Sequence, residues 1–491
     1  MIHLPVLIVI LPLFGAVVMP LLPKRKPILV AWTSLIFSTL ALLALISFQH
    51  VNTYGAFHYV FGNYDAAIGI EFFIDPLLAF LVLFVAGLAS LIILFSFEDI
   101  PHELKEHQYS HYYSLIMLLM FSMLGMIYTN DLFNTYVFME ILSITSTAII
   151  SIKHKRANFL ASFRYLMLSS IGSLTILLGL AFLYMVTGQL NMDAMARVIQ
   201  EVWVLYPTNL VLAVGFMLIG LAIKSAMFPL HIWLPDAHSS APSPSSAFLS
   251  SLVVKVYIVV MIKLLYRIIG TEIIAALNID TFILTMAGFG MIFGSVFAIG
   301  QRDIKRLLAY SSVAQIAYIF LGIGLLSRAG LAAGLFHIVS HALMKSALFL
   351  SAGAIIYGVH ERRLAKLDGI GFRMPITMIV FTLAALGMIG IPGISGFMSK
   401  IYLGIALIEQ QHPIFLSLIL LSSFLNAIYY MPILISAFLK EDILQKNQLS
   451  RDPLPNSMII AMVVIALALV VVGLYPQIIM NIIEKAMPYY F

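Results

Sequence analysis

Apolar runs, each about as long as a bilayer is thick, follow one another along nearly the whole chain and are separated by short polar breaks. A helix needs about 20 predominantly apolar residues to cross the hydrocarbon. Runs of that kind lie at 2–22, 28–48, 72–97, 111–129, 131–151, 159–187, 207–228, 242–268, 273–300, 303–326, 329–358, 372–391, 413–438 and 456–482. Backbone groups in lipid must be satisfied within the segment, so these runs predict an all-α polytopic membrane protein of about 14 transmembrane helices. Two spans are broken. The seventh stops around Pro229 and resumes through HIWLP; the twelfth stops around Ile391-Pro392-Gly393 and resumes from Ser395 to Leu407. The stretch Asn191–Val204 is short and amphipathic and is expected along an interface. Only nine residues follow the last span, so no large C-terminal domain is expected, and no low-complexity linker intervenes anywhere.

Polar residues inside these runs are few and therefore informative. His337, His341 and Lys345 are spaced i, i+4, i+8 in LFHIVSHALMKSALFLSAG. On a helix they share one face and climb roughly 12 Å. Each ionisable group in hydrocarbon costs about 2.5–3.5 kcal/mol or more, and three on one face point to a proton relay. Glu140 lies near the middle of span five, in YVFMEILSIT. A carboxyl there is either neutral and bonded to Ser143 or Thr147, or it is ion-paired. Lys224 stands just before the Pro229 break, where freed carbonyls need a cavity or a partner; snorkelling to the interface is its other reading. Lys255 is mid-span in SSLVVKVYIVVM, with no such escape. Lys400 stands to the second break as Lys224 stands to the first, but on its opposite side, as an inverted repeat requires.

Composition agrees. Hydrophobic residues make up 62% of the 491 and charged residues 10%, against about 25% charged in soluble domains. The absence of cysteine excludes thiolate-held iron–sulfur clusters, c-type haem attachment and disulfides, so any redox centre belongs to another chain. The net charge of +5 reflects loop lysines and arginines rather than nucleic-acid binding. With the N-terminus outside, 18 of the 27 basic residues fall on inner loops: Lys24, Arg25, Lys26, Lys105, Lys153, Lys155, Arg156, Arg164, Arg302, Lys305, Arg306, Arg362, Arg363, Lys366, Arg373, Lys440, Lys446 and Arg451. Outer segments hold Arg197, Lys263, Arg267, Arg328 and Lys485. This asymmetry places both termini outside a cell membrane. The first run, followed by a basic cluster, reads as a retained helix and not as a signal peptide.

Three apparent motifs carry no chemistry. HELKEH at 102–107 is one residue too long for a zinc-protease helix; Gly215-FMLI-Gly220 lacks the Lys-Ser/Thr of a phosphate loop; and Gly288-x-Gly290 falls inside a span. The His337/His341 pair has the spacing of a metal site but no carboxylate on its face. No metal, cofactor or loop-borne enzyme site is expected.

The stretches FFIDPL, NDLFNTYVFMEILSI, KSAMFPLHIWLPDAHSSAPSPSSAFLSSLVVK, QRDIKRLLAYSSVAQ, FHIVSHALMKSALFLSAG and GIPGISGFMSK occur in this order over nearly the whole chain. Together they resemble the antiporter-like subunits shared by respiratory complex I, membrane-bound hydrogenases and Mrp-type Na+/H+ antiporters. Chain length, the HIWLPDAHSSAPS wording and Lys400, where several relatives carry Glu, are most similar to the D-type subunits of Mrp antiporters. The resemblance implies two inverted five-helix repeats, each with a broken helix. Residues 1–110 would hold the first three spans, 111–270 and 271–440 the repeats, and 441–491 the last span. It also implies that Glu140 and Lys224 form a modulating ion pair and that Lys255 comes next on a hydrated axis. His337, His341 and Lys345 would link the halves, with Lys400 as the final station. The expected partners are H+, Na+, the bilayer and other membrane subunits of a hetero-oligomeric complex. Two other functions remain open: a redox-driven pump subunit of complex I or a hydrogenase, and a non-pumping scaffold.

Overall fold

A computed structural model of the chain describes residues 3–64, 69–440 and 454–491. The N-terminal helices are α1 (Leu4–Val18), α2 (Lys26–Tyr54) and α3 (Pro76–Glu103). Next come α4 (Tyr109–Tyr128), α5 (Leu132–Ser151), α6 (Arg156–Thr187), the short α7 (Met192–Val202), and α8 (Pro207–Lys224) continued by α9 (Trp233–Ser240). One long helix, Ser243–Ile269, contains α10 (Ser243–Phe248) and α11 (Val254–Ile262), with wider π-helical turns at Leu249–Val253 and Lys263–Ile269. After a single turn, α12 (Thr271–Ala276), follow α13 (Ile279–Ile299), α14 (Ile304–Gly324) and α15 (Arg328–Val359). The remainder comprises α16 (Ile370–Arg373), α17 (Pro375–Ile389), α18 (Ser395–Glu409), α19 (Pro413–Leu439), α20 (Asn456–Leu474) and α21 (Gln477–Ala486).

Among the described residues, thirteen helices are long and apolar enough to cross a membrane, and α17 is a shorter apolar helix. The fourteen expected spans are thus present as helices, with the two breaks where proline and glycine put them. Between α8 and α9, Ala226 takes a positive φ before Pro229; between α17 and α18, Gly390 and Gly393 take φ of 97° and 89°. Inner-loop residues Lys446 and Arg451 lie outside the described residues.

The structure corrects the sequence reading in three places. The third span begins at Pro76, not at residue 72, because Phe57–Val60 and Glu71–Ile74 pair as a small antiparallel hairpin. Asp75 then caps α3, its carboxylate accepting from the Leu78 N–H at 2.7 Å, with Pro76 at the first helical position. The last span ends at Leu474, where Tyr475-Pro476 turns the chain into the amphipathic α21. Lys263, assigned to an outer segment, and Lys305, assigned to an inner loop, are both buried.

Burial grades from the periphery to a central row. The apolar stretch of Ser243–Ile269 is wholly enclosed and α14 nearly so, whereas α6, α19 and α20 keep large apolar side chains outward. Leu174, Leu420 and Phe424 are among those exposed residues, a surface suited to lipid or to another membrane subunit. Close helix contacts use small residues: a Cβ on Gly220 would collide with the Gly172 carbonyl oxygen, so α6 and α8 pack backbone against backbone. Both termini lie at the hairpin end of the bundle, since His3 bonds Tyr59 and Tyr490 bonds Asp75.

Candidate functional site

The buried polar groups form a row through the centre of the bundle, beginning at α5. Glu140 Oε1 lies 3.8 Å from Lys224 Nζ. The carboxylate is on the rim, about a third exposed, while the lysine is buried in the last turn of α8. Lys224 donates to Ser143 Oγ at 2.6 Å and Ser169 Oγ at 2.7 Å, and its ammonium faces the Tyr257 ring at 5.9 Å. Neither serine-bonded nor threonine-bonded Glu140 is realised: the Ser143 and Thr147 hydroxyls donate to backbone carbonyls within α5. The helix break puts Lys224 at this position. With no helical residue following, its side chain turns inward toward α5 and α6.

Tyr257 leads onward. Its hydroxyl lies 3.3 Å from Ser143 Oγ, and Lys255 is two residues before it in α11. Lys255 bonds the Ser250 carbonyl five residues back. In a regular α-helix that carbonyl belongs to the i+4 amide; the π-helical turn at Leu249–Val253 loosens the ladder and releases it. From there the contacts are continuous. Ser250 Oγ lies 3.1 Å from Ser312 Oγ, and Ser312 donates to the Leu308 carbonyl at 3.0 Å. The same carbonyl accepts from Lys345 Nζ at 2.7 Å. Lys345 also bonds Ser311, whose hydroxyl lies 3.0 Å from Tyr430.

The α15 face is as its spacing predicts. His337, His341 and Lys345 are all fully buried, and the two imidazoles stack with centroids 5.9 Å apart. His337 Nδ1 lies 2.8 Å from Ser399 Oγ in α18. His337 Nε2 and both His341 nitrogens have no protein hydrogen-bond partner among the described residues. Tyr318 packs against His337 and lies 5.1 Å from Lys400 Nζ. Lys400 reaches back across the second break to the Met388 and Ile389 carbonyls at 2.9 and 2.8 Å, and donates to Ser423 at 2.9 Å. The lysine therefore satisfies carbonyls at the end of α17, of which that of Met388 also accepts from Asn426 Nδ2 at 3.0 Å.

All seven sequence-predicted site residues thus lie on one row. Sequence reasoning named Ser143 only as a partner for Glu140 and missed the other groups between them: Ser169, Ser250, Ser311, Ser312, Ser399, Ser423, Tyr257 and Tyr318. Their one signal was a hydroxyl within an apolar run, too common to single out.

At the hairpin end a second polar group closes the bundle. Glu71 Oε1 accepts from Asn130 at 2.6 Å and Asn191 at 2.7 Å, with His58 Nδ1 at 3.3 Å. Asp193, in α7, accepts from Arg267 at 2.7 Å and Asn130 at 2.8 Å. Burial pushes the Glu71 carboxyl up, but the hydrogen bonds from His58, Asn130 and Asn191 outweigh it and bring it down to about 2. The hydrogen bond to Glu71 raises His58, against the opposing effect of burial. Side-chain ligand atoms of His58, Glu71 and Asp193 come within 4.8 Å of one another. Their carboxylates already take amide and guanidinium donors, so the set works as a latch joining hairpin, α5, α7 and the end of the Ser243–Ile269 helix.

Comparison with known proteins places this arrangement. The family model described as "NADH:quinone oxidoreductase/Mrp antiporter, TM" matches residues 129–426. The N subunit of the NADH-quinone oxidoreductase of Desulforudis audaxviator is 37% identical over 99% of each chain. The D-type subunit of the Na(+)/H(+) antiporter of Alkalihalophilus pseudofirmus is 30% identical over 77% of this chain and 75% of its own. Among solved structures, a chain of an archaeal membrane-bound sulfane sulfur reductase aligns with a TM-score of 0.90 at 28% identity, covering 99% of this chain and 97% of that one. A chain of the Mrp complex from Dietzia sp. DQ12-45-1b shares the fold, with a TM-score of 0.89 at 22% identity over 100% and 97%.

Proposed function

Because the chain belongs to the NADH:quinone oxidoreductase/Mrp antiporter transmembrane family, we propose that it is the proton-translocating subunit of a multisubunit Na+/H+ antiporter. The observation that carries this reading is the row from the Glu140–Lys224 pair through Lys255, Lys345, His341 and His337 to Lys400. A bundle held only by packing has no use for four lysines and two histidines in its centre, each costly to bury.

In this reading the chain moves protons and makes or breaks no other bond, so it is a transport subunit and not itself an enzyme. Separation of Lys224 from Glu140 changes the charge felt along the row. Lys255 then releases or takes a proton. The proton crosses by the serine hydroxyls of α14 and the α15 imidazoles to Lys400. Na+ passes by the complex as a whole. Residues 111–270 and 271–440 form the two repeats, after the three spans of 1–110 and before the last span in 441–491. The end bearing Lys24, Arg25, Lys153, Arg302 and Arg362 faces the cytoplasm, and the hairpin and both termini face outward. Partner membrane subunits cover part of the apolar perimeter.

One observation favours a second reading. The 37% identical relative, matched over 99% of both chains, is a subunit of an NADH-quinone oxidoreductase. The same row would then be driven by electron transfer in partner chains.

The test uses everted vesicles carrying this chain with its partner subunits in an antiporter-deficient host, energised by respiration and read with a pH-sensitive dye. NaCl should collapse part of the pH gradient in wild type, and Glu140→Gln should abolish that response while assembly persists. A sodium response of equal size in an assembled Glu140→Gln complex overturns the ion-pair account. Proton movement that ignores Na+ but follows a quinone-linked reductant selects the second reading.

A further inference from the structure

The row described above has a branch that reaches the basic end of the molecule. Asp99 and Glu103 lie one turn apart on α3 and within hydrogen-bonding reach of each other. Glu103 has a structural role. Its Oε1 accepts from the Ser243 amide at 2.9 Å and the Ser243 hydroxyl at 2.7 Å, so it caps the Ser243–Ile269 helix, and its other oxygen pairs with Lys153 at the mouth. Asp99 caps nothing. It is 2% exposed, and its Oδ2 has no hydrogen-bond donor among the described residues. Leaving such an oxygen buried costs about 1–3 kcal/mol.

Behind the two carboxyls lies Lys305, buried, bonded to the Ala241 carbonyl at 2.7 Å and within electrostatic reach of both. Next comes His238 in α9. It is fully buried, and neither ring nitrogen has a protein partner among the described residues. Its ring packs on Phe349 with centroids 5.4 Å apart, and Phe349 is one turn beyond Lys345 on the same face of α15. His238 lies within electrostatic reach of Lys345, Lys305 and Lys255. Asp99, one of whose oxygens has no donor, Lys305 and the unpartnered His238 thus run from the largely buried Glu103–Lys153 pair to the middle of the row.

We propose that Asp99 and Glu103 form a proton-loading site at the basic end, which feeds Lys345 and Lys255 through Lys305 and His238. The proposal rests on the transport reading above. Neighbouring carboxyls hold one proton between them, because two full charges at contact distance repel. Water at the mouth supplies that proton as Lys153 swings aside. Lys305 passes its own proton to His238 and takes the next from the carboxyl pair; His238 passes its proton to the row. Each transfer breaks one O–H or N–H bond and forms one O–H bond on the carboxyl pair or one N–H bond beyond it, and no other reactant is consumed. The charged and titratable groups facing the pair are Lys153, Lys305, Tyr112, Tyr113 and Tyr357, and Arg362 faces Lys305.

The experiment reconstitutes the full complex in proteoliposomes and measures the initial rate of proton uptake from the basic face across a pH series. It compares wild type, Asp99→Asn, Asp99→Glu, Lys153→Gln and Lys224→Ala. Asp99→Asn should slow uptake by about tenfold or more and flatten its pH profile, and Asp99→Glu should restore both. Lys153→Gln changes only the mouth and should shift the profile without loss of assembly; it decides the matter if Asp99→Asn fails to assemble. Wild-type rate and profile in assembled Asp99→Asn, or in Lys153→Gln where that variant decides, overturn the loading site. If Lys224→Ala is inert at the same time, the transport reading fails as well; if Lys224→Ala stops the flux, only the loading site fails.

Discussion

Lys224 has the Glu140 carboxylate at 3.8 Å, whereas Lys255, Lys345 and Lys400 are held by carbonyl and hydroxyl oxygens and not by a full counter-charge. Lys400 is the clearest case, with two backbone carbonyls and one hydroxyl as its partners. Lys400→Met keeps the volume but leaves the Met388 and Ile389 carbonyls without this donor, a loss of about 1–3 kcal/mol. The purified complex should melt at a lower temperature and lose proton flux; wild-type flux in Lys400→Met would remove it from the path. The buried lysines and histidines of the row were legible in the sequence because a charge inside an apolar run is costly and therefore rare. Their partners were not. Nothing in the one-dimensional pattern distinguishes Ser312, which touches Ser250, from Ser90, which merely bonds back to its own helix. Lys263 misled the reading for a related reason. It stands near a predicted span end, yet its ammonium satisfies the carbonyls of Met126, Ile127 and Thr129 where α4 ends.

Broken helices put side chains where continuous ones could not. The α17–α18 break exists because two glycines accept positive φ around Pro392 and because the returning helix packs at backbone distance. A Cβ on Gly396 would collide with the Gly387 carbonyl oxygen, with no flexible atom to yield. Gly396→Ala should therefore destabilise by about 1–3 kcal/mol or more and displace Lys400 from its carbonyls. Thermal unfolding and proton flux should both fall, whereas Gly215→Ala, where no atom lies within 4 Å of the added carbon, should leave both unchanged. Proline and glycine made both breaks readable in advance. The hairpin was not: FFI at 72–74 continues an apolar run, and only the Asp75-Pro76 cap shows that the helix starts later.

At the scale of the whole bundle, the long helices meet a polar latch at one end and a basic, loop-rich surface at the other. The latch makes the hairpin end pH-sensitive. With His58 raised above its ordinary value, its protonated bond to Glu71 contributes fully below about pH 6.5 and is lost as pH rises through the folded-state value. Glu71, depressed to about 2, contributes above its ordinary value near 4.5 and loses that contribution only as pH falls toward 2. The protection of the Phe57–Val60 and Glu71–Ile74 amides, taken relative to their intrinsic exchange at each pH, should therefore fall between neutral and alkaline pH; His58→Gln should abolish that fall, and its persistence would refute the latch. Spans, breaks and buried charges followed from hydropathy and charge, while this latch depended on residues brought together from 58, 71, 130, 191, 193 and 267, a proximity that spacing alone does not encode. The central claim is that protons cross the molecule along the Lys224-to-Lys400 row, in which Lys345 joins the α14 hydroxyls to the α15 face. Its most direct test is the initial proton flux of the assembled complex in proteoliposomes, wild type against Lys345→Met. The row predicts a loss of at least about tenfold with assembly intact; wild-type flux in the assembled variant would contradict it.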